Sequence, residues 1–103
     1  MLFSRLKNDI NASLKTYAST PGAVLLDVRT GEEYQEGHIP ESINLPLQEI
    51  DQALTKIKDF DTPLFVYCRS GARSEQAVQW LKKAGYTDVQ NIGGIMQYKG
   101  QVV

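Results

Sequence analysis

The chain has 103 residues, a length that suits one compact domain, and we predict a single domain over residues 1–103. Its charge is nearly balanced, with 11 Lys and Arg against 12 Asp and Glu, and no basic stripe runs along it, so we expect no nucleic-acid partner. No stretch approaches the ~18 apolar residues of a membrane helix, and charged residues interrupt the N-terminal segment where a signal peptide would be apolar. We therefore expect a soluble, cytoplasmic protein.

The sequence contains one cysteine and one histidine. A single thiol cannot form an internal disulfide, and a structural zinc site needs about four clustered ligands. We therefore predict neither a metal site nor a bound cofactor.

The first half of the chain predicts helices alternating with strands. A helical spacing of apolar residues predicts an amphipathic helix over residues 2–18, and the apolar run 23–28 predicts a buried strand. Thr30 and Glu33 match a capping box that should open a short helix closed by Gly37. Residues 42–45 predict a short strand.

The second half repeats this alternation. Leu47, Ile50, Leu54 and Ile57 predict another amphipathic helix. The remaining predicted elements are a strand at 64–67, a helix at 74–84 ended by Gly85, a strand at 89–92 and a helical turn at 95–98. Strands that alternate with helices indicate an α/β domain with a mainly parallel sheet.

Cys68 stands at the end of the predicted strand 64–67 and is followed by a loop and then a helix. Amide N–H groups of such a loop turn inward, and the helix N-terminus adds partial positive charge, so together they favour a bound anion. This environment stabilises a thiolate and makes a cysteine reactive near neutral pH. The sequence therefore predicts a nucleophilic Cys68.

The residues around Cys68 suggest how it is activated. His38, the only histidine, lies in a turn-like stretch, so no Cys/His pair is evident and we expect it to be structural. Arg69 and Arg73 flank the site and would attract an anion. The Ser74 hydroxyl either donates to the sulfur or caps the helix.

Three motifs, taken together, resemble the rhodanese-like domain family. They are the stretches 27–34 with 37–46, the loop Cys68-Arg69-Ser70-Gly71-Ala72-Arg73-Ser74, and Gly93-Gly94-Ile95. The resemblance runs from about Val24 to the end of the chain, and the closest type is the single-domain sulfurtransferase. It implies a three-layer α/β fold, with a mainly parallel sheet of four to five strands and helices on both faces.

The resemblance also implies a two-step reaction. Cys68 would take the sulfane sulfur of thiosulfate or another donor and hold it as a persulfide. It would then pass that sulfur to cyanide, a small thiol or a thioredoxin-like protein, and a cysteine desulfurase is a further plausible partner. The expected substrate-binding residues are those of the loop: Arg69, Ser70, Gly71, Ala72, Arg73 and Ser74.

A second group of residues is expected to support the site rather than to react. Arg29 is predicted to pair with Glu33, and Asp27 to bond to the active-site loop and hold it. His38 joins this supporting group. Residues 1–4 are a poor match to the edge strand with which rhodanese domains usually begin, and a sheet with an uncovered edge could pair with a second copy. We expect a monomer or a weak homodimer.

Two other functions compete with sulfur transfer. The first is a non-catalytic rhodanese-like module that binds a protein partner, although such modules usually lose the cysteine or the loop glycine. The second is a phosphatase or arsenate reductase that uses the thiolate. Those enzymes place an arginine six positions after the cysteine, where this chain has Ser74, and its Arg73 comes one position earlier.

Overall fold

The structure, a computed structural model, describes residues 9–103. Residues 2–8 of the predicted first helix, and the question of an edge strand at 1–4, lie outside the described residues. The helices are α1 (Ile10–Ala18), α2 (Gly31–Glu36), α3 (Ala53–Lys56) and α4 (Ala72–Ala84), with short 3-10 segments at Leu47–Gln52 and Ile95–Gln97. The strands are β1 (Val24–Asp27), β2 (Ile43–Asn44), β3 (Leu64–Cys68) and β4 (Val89–Gly94).

The four described strands form one sheet in the order β2-β1-β3-β4, and every neighbouring pair is parallel. This confirms the predicted α/β class and parallel sheet. Because all four strands run in the same direction, the loops that follow them gather at one edge of the sheet. Asp27, at the end of β1, lies opposite Tyr67, which precedes Cys68 in β3.

Helices cover both faces of the sheet, as expected for a three-layer domain. On one face α4 and the 3-10 segment Leu47–Gln52 pack over Leu26, Val66 and other apolar side chains. On the other face α1 packs over Leu25, Phe65 and Ile92. A strand buried on both faces needs apolar residues at every position, and all five residues of β3 are buried.

Two of the predicted helices differ in detail from the structure. The helix expected from Leu47 to Ile57 begins as a 3-10 segment and becomes α-helical only at Ala53. The spacing of three residues in a 3-10 turn buries Ile50 and Ala53 and leaves Leu54 46 % exposed, although an α-helical spacing would bury it. The helix predicted to start at Ser74 starts at Ala72.

Two predicted helix ends, the start of α2 and the end of α4, are confirmed by their capping residues. The Thr30 hydroxyl accepts the Glu33 N–H at 3.2 Å, and the Glu33 carboxylate accepts the Thr30 N–H at 3.0 Å, so the capping box is complete. Gly85 ends α4 with a positive φ of 121°. Within residues 9–103, no helix is both long and apolar enough to cross a bilayer.

Candidate active site

Cys68 is the last residue of β3, and its sulfur faces the first turn of α4. Sγ accepts the N–H of Gly71 at 3.0 Å and the N–H of Ser74 at 3.4 Å, and the Ser74 hydroxyl lies 3.4 Å away. We call this set of donors, on residues 71 and 74, the sulfur cradle. The cysteine is only 1 % exposed, so its environment is set by these donors rather than by bulk water.

Two opposing effects set the ionisation of Cys68. Burial raises the pKa of the thiol, because it penalises the thiolate. Hydrogen bonds from the Ser74 side chain and from the N–H groups of Ser74, Gly71 and Ser70 lower that pKa and outweigh burial, so it lies below the ordinary value. A lowered pKa increases the fraction of Cys68 that is present as the thiolate, which is the nucleophilic form of a cysteine.

Close contact with β4 shapes the loop that carries the cradle. A Cβ atom on Gly94 would lie 2.6 Å from Ser70 Cα and closer still to the Arg69 carbonyl oxygen, so only glycine fits there. The Arg69 carbonyl also accepts the Met96 N–H at 3.2 Å. Gly71 adopts a φ of 109° at the start of α4. The Gly93-Gly94 motif therefore lets β4 lie directly against the active-site loop.

Ser74 lies in the first turn of α4, one turn after Gly71, which occupies the N-cap position. The alternative in which Ser74 caps the helix is therefore wrong. Its side chain is fully buried between the sulfur and β4, and its hydroxyl donates to Asn91 Oδ1 at 2.7 Å. The Ser74 hydroxyl lies 3.4 Å from Sγ, as its other predicted role, contact with the sulfur, requires.

Arg73 does not stand free at the site. It makes two hydrogen bonds with the Glu33 carboxylate, at 2.7 and 3.0 Å, and so joins α4 to the start of α2. The Arg73 guanidinium, together with hydrogen bonds from Thr30, lowers the pKa of Glu33 to about 2 against the opposing effect of burial. The predicted pairing of Glu33 with Arg29 is therefore wrong.

Arg29 instead pairs with Asp27, two residues away. Both side chains are buried, and the Asp27 carboxylate accepts the Arg29 backbone N–H, Nε and Nη2 at 2.7–3.0 Å. Arg29 also donates to the Gly37 carbonyl at 2.8 Å. The expectation that Asp27 bonds to the active-site loop is wrong, because its carboxylate holds Arg29. The pair stabilises the turn after β1 instead.

His38 takes a structural position. Its ring stacks on Tyr34 with centroids 3.6 Å apart, and Nδ1 lies 2.8 Å from the Tyr34 carbonyl oxygen. Its backbone pairs in both directions with Val103. These contacts agree with a supporting role.

Arg69 and Ser70 are exposed at the outer side of the loop, and Ala72 is exposed at the start of α4. The Arg69 side chain is thus accessible to solvent. Its exposure fits the prediction that it meets a substrate from solution.

Asn91 is the residue at the site that the sequence reasoning missed. It lies in β4, and its amide contacts Ser74, Gly93, Gly71 and Glu75. A signal was present in the sequence, since Asn91 and its neighbour Gln90 are the two polar residues of the predicted strand 89–92, just before Gly93-Gly94. Only the packing of β4 against α4 brings it to the cysteine.

A cavity of about 340 Å³ lies away from Cys68, at the edge strand β2 and the start of β1. Val24, Ile43 and Ile57 are among its lining residues, and none belongs to the active-site loop. The chemistry of Cys68 therefore depends on the cradle rather than on this cavity.

A parallel α/β domain with a thiol held in backbone N–H groups at a sheet edge defines a class of cysteine-based sulfur or oxyanion enzymes. The model of the rhodanese-like domain matches residues 11–101 of this chain. The chain belongs to the rhodanese-like domain family.

Individual relatives agree with this assignment. The thiosulfate sulfurtransferase PspE of Escherichia coli is 41% identical over 71 residues, which cover 68% of each protein. The adenylyltransferase and sulfurtransferase uba4 of Ogataea parapolymorpha is 35% identical over 103 residues, and the chain spans 26% of that longer protein. A solved E. coli structure described as rhodanese with anions superposes with a TM-score of 0.72 at 36% identity and covers 79% of this chain and 96% of its own.

Proposed function

We propose that this chain is a sulfurtransferase that carries sulfane sulfur on Cys68 as a persulfide. The observation that supports it most directly is the sulfur cradle, in which Gly71 and Ser74 direct N–H groups at Sγ. The names of two relatives, PspE and uba4, include sulfurtransferase. Of the possible donors, thiosulfate is the one we propose first, because PspE is named for it.

The first step is attack of the Cys68 thiolate on the outer sulfur of thiosulfate. The Cys68–sulfur bond forms, the sulfur–sulfur bond of thiosulfate breaks, and sulfite leaves with its electron pair. In the second step the acceptor attacks the outer sulfur of the persulfide and the Cys68 thiolate leaves. Cyanide then becomes thiocyanate, whereas a thiol becomes a persulfide.

Neither leaving group in these two steps needs a proton. Sulfite and the Cys68 thiolate both depart as stable anions, so no paired base or acid is required. This agrees with His38, whose ring contacts Tyr34 rather than the cysteine. The N–H donors of the cradle stabilise the anionic sulfur throughout, as an oxyanion hole stabilises oxygen.

The charges of the loop suggest how an anionic donor is attracted. Arg73 is bound in two hydrogen bonds to Glu33, whereas Arg69 is exposed beside the cysteine. We propose that Arg69, rather than Arg73, meets the donor. The pairing of Arg73 also argues against a phosphatase, since such an enzyme needs a loop arginine for the phosphoryl oxygens.

The acceptor is proposed from chemistry alone. Any nucleophile that can reach the outer sulfur would serve: cyanide in an assay, or a small thiol or thioredoxin-like protein. A non-catalytic binding module is the remaining alternative, and it would have no use for a cysteine with a lowered pKa.

The experiment is intact-mass spectrometry of the purified chain after incubation with thiosulfate, with the Cys68→Ser variant as the matched control. We expect the wild type to gain one sulfur atom and to lose it when cyanide is added. The variant should gain none. If the wild-type mass stays unchanged while iodoacetamide still alkylates Cys68, thiosulfate is not the donor.

A further inference from the structure

Asn91 makes four polar contacts around the sulfur cradle. Its Oδ1 lies 2.7 Å from Ser74 Oγ and accepts the Gly93 N–H at 3.0 Å. Its Nδ2 donates to the Gly71 carbonyl at 3.0 Å and to the Glu75 carboxylate at 3.2 Å. This one side chain therefore connects β4 to Gly71 and Ser74, the two residues of the sulfur cradle.

These neighbours fix the orientation of the Asn91 amide. In the reverse orientation its NH₂ group would face the Gly93 N–H, and its oxygen would face the Gly71 carbonyl, so donors would meet donors and acceptors would meet acceptors. The oxygen must therefore face Ser74. Because an amide oxygen carries no proton, the 2.7 Å hydrogen bond uses the hydroxyl proton of Ser74.

The same proton is the one that Ser74 could donate to Cys68. Ser74 Oγ is 3.4 Å from Sγ and 2.7 Å from Asn91, so a hydroxyl with one proton makes the shorter bond to Asn91. In this arrangement Ser74 offers only lone pairs to the sulfur. A neutral thiol can donate to those lone pairs, whereas a sulfur anion needs the proton turned toward it.

We propose that Asn91 is a positioning residue that competes with Cys68 for the hydroxyl proton of Ser74 and thereby sets how strongly the cradle stabilises a sulfur anion. With the thiol neutral, the proton lies on the Asn91 side. When the sulfur becomes anionic, the hydroxyl turns and the bond to Asn91 is lost. The role of this competition in catalysis rests on the proposed persulfide mechanism, but the competition itself does not.

Other charged groups also lie around the sulfur, and the test must separate Asn91 from them. On α4 these are Arg73 and Glu75, in the loop Arg69, on α2 Glu33, and after or within β1 Arg29 and Asp27. Most of these charges are paired with one another. Of the acidic groups, only Glu75 contacts Asn91 directly.

The test measures the pKa of Cys68 in the free protein from the pH dependence of its alkylation by iodoacetamide. Asn91→Leu has a similar shape but no acceptor, so the Ser74 proton is free to face the sulfur. We expect a lower pKa and about a threefold to tenfold larger thiolate fraction at a pH below it. Asn91→Asp keeps the acceptor and adds a negative charge, so we expect a higher pKa.

The direction in which the pKa of Cys68 changes in Asn91→Leu distinguishes a positioning role from a merely structural one. If Asn91 only braced the loop, its loss would loosen the cradle and raise the pKa of Cys68. In a Ser74→Ala background Asn91→Leu should leave the pKa unchanged, since there is no proton to release. Glu75→Gln keeps a partner for Nδ2 but removes one negative charge, so it is the control for charge: any lowering of the pKa of Cys68 that it causes should persist in the Ser74→Ala background.

A pKa of Cys68 that is unchanged or raised in Asn91→Leu overturns the proposal, as does a lowering that persists in the Ser74→Ala background. Should Asn91→Leu fail to fold, Asn91→Ala takes its place, with the same sign expected and the same outcomes decisive. No sulfur donor enters these measurements. A wild type that takes no sulfur from thiosulfate would therefore count against the proposed function and leave the role of Asn91 standing.

Discussion

Replacing Gly94 by alanine tests whether contact with β4 shapes the sulfur cradle. The new Cβ would lie 2.6 Å from Ser70 Cα and closer still to the Arg69 carbonyl oxygen. Both are backbone atoms, so no side chain can rotate away to make room. The active-site loop would have to move relative to β4.

The size of the effect follows from the rigidity of both partners. Gly94 is paired with Cys68 in the sheet, and Ser70 lies two residues after that cysteine. Overpacking usually costs about 1 to 3 kcal/mol, and we expect the upper end here because backbone meets backbone. For a domain of this length, a loss of about 3 kcal/mol lowers Tm by roughly 12–24 °C.

Movement of the loop should also change the chemistry of Cys68. Hydrogen bonds weaken steeply when they are misaligned, and those from the Gly71 and Ser74 N–H groups stabilise the thiolate. The pKa of the Cys68 thiol should therefore rise in Gly94→Ala. The assays are urea unfolding and the pH dependence of iodoacetamide alkylation.

Gly22→Ala is the matched control. Gly22 also has a special backbone conformation, with φ at 75°, but a Cβ there would meet nothing within 4 Å. It should lose only about 1 kcal/mol, from backbone strain, and leave the pKa of Cys68 unchanged. If Gly94→Ala proves as stable as Gly22→Ala and keeps the wild-type pKa, the close contact does not shape the cradle.

Two further predictions concern stability. Since Arg73 holds the pKa of Glu33 at about 2, below its ordinary 4.5, this pair stabilises the fold above about pH 4.5 and is lost as the pH falls toward 2. After screening by solvent, the pair contributes about 1 to 2 kcal/mol to the free energy of unfolding. The difference between the free energies of unfolding in urea at pH 6 and at pH 3 should therefore be smaller in Glu33→Gln than in the wild type. An equal difference would contradict this. Glu41 adopts a φ of 75°, which is strained for any residue with a Cβ atom. Glu41→Gly should therefore be about 1 kcal/mol more stable than Glu41→Ala, because both variants lose the hydrogen bond to Tyr17 but only the glycine relieves the strain. Equal urea midpoints would show that no strain is relieved.

The sequence predicted those features that depend on neighbouring residues. The capping box between Thr30 and Glu33 spans a single helical turn, so its two residues could be recognised without any knowledge of the fold. The same holds for Cys68, because strand, loop and helix follow one another directly. Alternation of apolar strands with helices then predicted the parallel sheet.

Contacts between distant elements could not be predicted in this way. Arg73 and Glu33 are 40 residues apart, and only the packing of α4 near α2 decides that Arg73, rather than the nearer Arg29, pairs with Glu33. The 3-10 segment before Ala53 could not be predicted for a different reason. Apolar spacings of three and of three to four residues overlap in a segment this short, so pattern alone does not separate them.

The three family motifs lie at the same end of the sheet. The end of β1, the loop after β3 and the glycines of β4 are far apart in the sequence but meet because the sheet is parallel, with β3 between β1 and β4. Arg29 holds the turn after β1, Glu33 anchors α4 through Arg73, and Gly94 admits the loop.

All of these contacts position backbone N–H groups rather than supply an acid or a base. The donors facing Cys68 are fixed in place before any substrate binds, so stabilising an anionic sulfur requires little reorganisation of the site. Among the donors to Cys68 in the described part of the chain, the Ser74 hydroxyl is the one that can still rotate, and it can bond to either Asn91 Oδ1 or Sγ. Rotation of this hydroxyl therefore adapts the site to the neutral and anionic forms of the sulfur.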